Sequence, residues 1–151
     1  MLELDISYAD GLPPLDFPSP AQMQRWAASA YLHDAKSYVA LKVIDEEESQ
    51  ALNAGFRGKN KPTNILSFPM QMPEDVDLPI LGDLALCAAV VAREAGRQGK
   101  HFHAHWAHML VHGVLHLQGY DHMHDEEAEH MESLEREILA KLGYPDPYQE
   151  Q

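Results

Sequence analysis

Cysteine is nearly absent: Cys87 stands alone in 151 residues. Neither an intrachain disulfide nor a thiolate-based metal cluster can be built within one such chain. If a metal is bound, histidine and carboxylate must hold it. Basic residues are also scarce, with 11 Lys and Arg against 24 Asp and Glu and a formal charge of −13. That balance speaks against a domain that coats nucleic acid by bulk electrostatics, since such domains are usually basic. A local basic groove still works on an acidic chain, because screening acts over about 8 Å at physiological salt. Long apolar runs are missing: no stretch approaches the roughly 18 unbroken apolar residues of a spanning helix. The opening MLELDISYAD carries acids where a secretory signal has a basic patch and an apolar core, so the cytoplasm is the expected compartment.

What is present is the composition of a folded soluble protein, 45% hydrophobic and 23% charged, with a length that suits one domain over 1–151. The outlier is histidine: nine of the ten lie between His101 and His130.

LELDISY and SYVALKVI alternate apolar and polar residues and predict strands over 2–8 and 37–44. Between them, GLPPLDFPSP carries too many prolines for regular structure. Ser19 and Pro20 read as the N-cap and first position of a helix running to about His33. Asp45 caps a second helix expected to end near Gly55, followed by a polar, basic loop FRGKNKPT. ILSFPM and ILGDLALC predict two further strands, separated by a proline-containing loop. Helices follow over Ala88–Gln98, over Phe102–Leu117 as a long amphipathic element, and over DEEAEHMESLEREILAKLG. The order βαβαββααα predicts an α+β fold: one domain, a small mixed four-stranded sheet packed with about five helices, and a zincin-like metal-site helix.

The chemistry concentrates in HGVLHLQGYDH, residues 112–122. His112 and His116 are one helical turn apart and share a face, so both can reach a single ion. Gly119 is the residue that most easily takes the left-handed conformation that ends a helix, and the turn it makes brings His122 back toward the pair. Three neutral imidazoles and one open position form a catalytic zinc arrangement. The spacing matches that of the metzincin peptidases, except that Gly113 stands where those enzymes carry the glutamate base. His108, one turn before His112, is expected to touch substrate, to support the ligands from behind, or simply to pack. Asp121 is placed to orient an imidazole. His101, His103 and His105 are expected at the surface or partly buried, and His124 and His130 at the surface.

HGVLHLQGYDH, preceded by AHMLV, resembles the zinc-site signature of the YbeY family of bacterial endoribonucleases. LNAGFRGKNKPTNILSFP and LGDLALC resemble two further blocks of that family, in the same order. The resemblance implies one Zn2+ held by His112, His116 and His122, with Arg57 as a functional side chain of the substrate cleft and Lys59 and Lys61 as cations tracking the backbone. It also implies single-stranded RNA as substrate, a role in rRNA processing, including the 3′ end of the small-subunit rRNA, and in ribosome quality control, and ribosomal partners. Phe56, Phe68 and Tyr120 are the aromatics in these blocks that could stack on bases, and each could equally belong to the core. Asp83 and Ser67 are further candidates. Two other readings stay open on the residues: a metallopeptidase-like hydrolase, and a non-enzymatic, zinc-stabilised module that binds the ribosome.

Overall fold

The computed structural model describes residues 1–70, 79–121 and 123–148. Its elements are β1 (Leu2–Tyr8), α1 (Pro20–Ala30), β2 (Ser37–Ile44), α2 (Glu46–Arg57), β3 (Ile65–Pro69), β4 (Ile80–Cys87), α3 (Ala88–Gln98), α4 (Phe102–Leu117) and α5 (Asp125–Lys141). The predicted order is the observed one. The strands lie in the order β1-β2-β4-β3, with β1, β2 and β4 parallel and β3 antiparallel to β4. Parallel neighbours need crossover connections, and α1 supplies the one between β1 and β2. No helix among the described residues is long and apolar enough to cross a membrane.

Local chemistry sets the helix starts. Ser19 accepts from the Gln22 amide at 3.1 Å while the Gln22 side chain accepts from the Ser19 amide at 2.9 Å, a complete capping box with Pro20 just inside it. Asp45 caps α2 by accepting from Glu48 N at 2.8 Å. This helix runs two residues beyond the expected end at Gly55. Its terminus is set by Gly58, whose φ of 68° is the left-handed conformation that closes a helix. Phe56 and Arg57 therefore ride on the last turn of α2, not in a loop.

One face of the sheet is covered by α4 and α1, where Val39, Leu41, Leu84 and Ile65 meet Trp106, Leu110 and Val114. Leu66, Ala85 and Val90 form a smaller cluster that Leu52 of α2 and Phe68 pack against. The sequence pattern suggested an amphipathic α4; instead the helix is central. From His105 to Leu117 every residue is buried except His112 and His116, which are half-buried. A helix apolar on nearly all sides belongs inside a protein, so its two partly exposed positions stand out.

Two glycines let the elements approach. A Cβ on Gly113 would come within 2.8 Å of Ile65 and 2.9 Å of Leu84, the side chains that α4 rests on. On Gly82 of β4, at φ 155°, a Cβ would lie 2.5 Å from the Phe68 carbonyl oxygen and 3.0 Å from the Pro69 Cα. Backbone cannot yield as a side-chain tip can. Gly82→Ala is therefore expected to destabilise the fold by about 2–3 kcal/mol, read as a lowered urea midpoint at unchanged slope. A midpoint equal to wild type would refute the close approach of β3 and β4.

Candidate active site

His112 and His116 emerge from α4 into an open groove of about 720 Å³, whose walls include Arg57, Ser67, Phe68 and Asp121. Their rings lie 5.7 Å apart and at 90° to one another, a separation at which two imidazoles can share one cation. Gly119, at φ 98°, ends the helix as expected, and its amide bonds the His116 carbonyl at 3.0 Å. The third predicted ligand, His122, lies outside the described residues. Among the described residues no three His, Cys, Asp or Glu side chains converge as a metal site.

The groove pair is backed by a group that the sequence reading missed. Nδ1 of His112 lies 2.6 Å from Oε1 of Glu135 on α5, and Glu135 has no exposed surface. A histidine whose inner nitrogen donates to a carboxylate presents its outer nitrogen as a fixed lone pair, the usual support for a metal-ligating ring. The Tyr148 hydroxyl donates to the other oxygen of Glu135, and His108 Nε2 lies 3.3 Å from the Tyr148 oxygen and 3.6 Å from Glu135. Burial works to raise the Glu135 pKa, but the hydrogen bonds from His108 and His112 outweigh it and hold the carboxyl at about 2. Burial lowers the pKa of His108, favouring the neutral ring. Burial and the Glu135 charge push the Tyr148 phenol up, which keeps it a donor.

His108 is thus not on the groove wall. Of its three expected roles the substrate contact gives way: His108 is buried behind His112, among the groups that hold Glu135. Tyr148 is held in turn by the chain around it: Arg136 donates to Asp146 at 3.2 Å, Asp146 accepts from the Tyr148 amide at 2.9 Å, and Lys100 donates to the Pro147 carbonyl at 2.9 Å. A signal for Glu135 does exist in the sequence. It sits on the buried stripe of α5 with Met131, Ile138 and Leu139, an acid where the period calls for an apolar residue.

Arg57 closes α2 on the groove, and the loop after it is tied back to that helix. Ser49 accepts from the Thr63 amide and donates to its carbonyl, both at 2.9 Å, and the Asn53 side chain donates to the Lys61 carbonyl at 2.8 Å. Lys59 and Lys61 are exposed on this loop and are not among the residues of the groove wall. Ser67 and Asp121 line the groove, whereas Asp83 faces solvent on β4 away from it. The wall is braced from behind by a second, partly buried relay. Asn64 donates to Glu94 at 3.0 Å and His105 Nε2 lies 3.0 Å from the same carboxylate oxygen. The hydrogen bond from His105, aided by Asn64, holds Glu94 below the usual carboxylate range against the effect of burial. His105 is 3% exposed, a buried partner of Glu94 that lies deeper than the surface or partly buried position expected of it. His124 and His130 are at the surface as expected.

The fold and site are those of a small α+β protein whose central helix presents a half-buried histidine pair, backed by a buried carboxylate, to an open groove shared with an arginine. At Gly113 a glutamate would drive its carboxylate into the apolar layer of Ile65 and Leu84, so the glutamate base of the metzincin peptidases has no place at that position. The family described as Endoribonuclease YbeY matches residues 20–143. The Endoribonuclease YbeY of Pseudomonas putida is 54% identical over 98% of this chain and 94% of its own. A solution structure of a Thermotoga maritima protein has the same fold, with a TM-score of 0.57 at 23% identity over 97% of this chain and 99% of the other. The chain belongs to the YbeY family of endoribonucleases. Membership of an enzyme family also sets aside the non-catalytic module.

Proposed function

We propose that the chain is a zinc-dependent, single-strand-specific endoribonuclease of rRNA processing, acting at the 3′ end of the small-subunit rRNA and in ribosome quality control. It works in the cytoplasm, with the ribosome or ribosome-associated proteins as partners. The observation that carries the reading is the pair His112 and His116, the only half-buried positions between His105 and Leu117, with His112 fixed by a fully buried carboxylate.

One zinc ion would be held by His112, His116 and His122, and the described residues fit it. Imidazole ligates zinc in its neutral form, and the Glu135 carboxylate 2.6 Å from Nδ1 of His112 sets the tautomer of that ring. When bound, such an ion polarises phosphoryl oxygens and lowers the pKa of water to about 7. The chain supplies the rest. Glu135 keeps the Nδ1 proton of His112 in place, so the ring enters the reaction in one tautomer. Arg57 offers a planar fork of donors to the phosphate, where negative charge grows on the non-bridging oxygens during cleavage. Lys59 and Lys61, exposed beyond Arg57, are within the loop that a bound backbone would pass and hold its neighbouring phosphates by charge. Asp121 lines the groove beside the histidines and would help to orient them. The metallopeptidase reading lacks a base at Gly113 and is not favoured.

The test is cleavage of single-stranded and duplex RNA of the same sequence by the zinc-loaded protein and by His116→Ala. The wild type is expected to cut the single strand and spare the duplex, and the variant to cut neither. Equal cleavage by the variant would assign the activity elsewhere.

A further inference from the structure

Most large apolar side chains here are buried, yet Phe56 is 70% exposed at the edge of the groove, beside Arg57. Its only aromatic neighbour among the described residues is Phe68, at 5.0 Å and 69°, a T-shaped pair that leaves at least one face of the Phe56 ring open. Phe68 is itself packed against the cluster of Leu66, Ala85 and Val90, so it anchors Phe56 to the body of the fold. The backbone under the ring is fixed by the left-handed Gly58 and by the Ser49 and Asn53 bonds to the following loop. Tyr120, the third aromatic of these blocks, instead packs on the main core and beside His130 at 5.6 Å.

We propose that Phe56 is a nucleobase subsite: one unpaired base of the RNA stacks on its open face while Arg57 holds the adjoining phosphate. The proposal rests on the RNA-cleaving reading of the groove and adds where a base is gripped. Two features favour a nucleobase over an apolar protein surface. Arg57 lines the same groove, so a cation and an exposed π-face both border the path of one strand. The ring also stands in the groove that holds His112 and His116, where the cleaved strand must lie. Aromatic stacking tolerates every base, because each has a π-face. In a duplex both faces of a base are already covered, so this subsite accepts single strands and rejects helices without reading sequence.

The experiment uses a single-stranded RNA cut at one position, and matched strands with an abasic nucleotide on either side of the cut. Phe56→Ala, at an exposed position, is expected to fold normally and to lose about tenfold in kcat/KM on the intact strand, mostly through KM, with Phe56→Trp restoring it. At one of the two abasic strands the wild type falls by a similar factor and Phe56→Ala loses nothing more. A fluorescent purine analogue at that nucleotide, in an uncleavable strand, is quenched on binding to wild type and stays bright with Phe56→Ala. Full activity of Phe56→Ala on the intact strand, or an undiminished loss on both abasic strands, would overturn the subsite. A wild type that binds but cuts no RNA would contradict the reading of the groove instead, and the quenching comparison would still decide the subsite.

Discussion

Arg57→Ala is expected to lower kcat/KM for RNA cleavage by about a hundred- to a thousandfold, the range lost when a preorganised donor to developing charge is removed. Arg57→Glu should lose more, because it puts like charge against the phosphate. The loss should fall in kcat as well as KM, since charge on the non-bridging oxygens grows as the phosphorus centre reacts. Folding is not the cause. Arg57 is exposed at the C-terminal end of α2, where its favourable interaction with the helix dipole amounts to about 0.3–1 kcal/mol. The two variants should therefore melt within a few degrees of wild type. Cleavage by Arg57→Ala within a factor of two of wild type would remove the arginine from the site.

Glu135 tests the groove from behind. Its carboxylate accepts from His112 and Tyr148, with His108 nearby, and has no contact with solvent. Glu135→Gln keeps the size and loses the charge, and its amide nitrogen faces groups that are themselves donors. The expected result is a zinc affinity about ten- to a hundredfold weaker, the cost of removing an outer partner of a ligating histidine, measured by competition with a chromogenic chelator. Glu135→Ala leaves the donors unpaired in a cavity and should lower stability by about 3 kcal/mol. The pH dependence has a definite sign. The carboxyl titrates near 2 in the fold against an ordinary 4.5, so its stabilising effect is complete above that ordinary value and is lost as pH falls toward 2. Glu135→Gln should flatten this acid limb. Unchanged zinc affinity in the glutamine variant would show that the carboxylate serves packing alone.

Much of the fold was legible because it is written locally. Ser19 with Pro20, Asp45, and Gly119 mark helix ends through side-chain and backbone chemistry within a few residues, and each acts as the sequence suggested. The alternation in SYVALKVI likewise becomes a strand with its Val39, Leu41 and Val43 side buried. The expected end of α2 failed because two glycines compete: Gly55 continues the helix and Gly58 takes the left-handed turn. That difference carries function, since it places Phe56 and Arg57 on a rigid helix. The supporting half of the site was not legible. His112 finds Glu135 across 23 residues and Asn64 finds Glu94 across 30. The first depends on how α4 and α5 pack and the second on how α3 lies against the start of β3, and periodicity reports only that a residue faces inward. The depth of His105, and which of its three expected roles His108 takes, were hidden for the same reason: an imidazole is polar by type, and only a carboxylate or phenol partner lets it sit in the core.

The most direct test is diffraction from zinc-grown crystals, recorded on both sides of the zinc absorption edge. A single anomalous peak per chain is expected at about 2.0–2.1 Å from imidazole nitrogens of His112, His116 and His122, with Nδ1 of His112 on Glu135 and no fourth side chain on the ion. A peak elsewhere, or a fourth protein ligand closing the coordination, would contradict a hydrolytic metal centre in this groove.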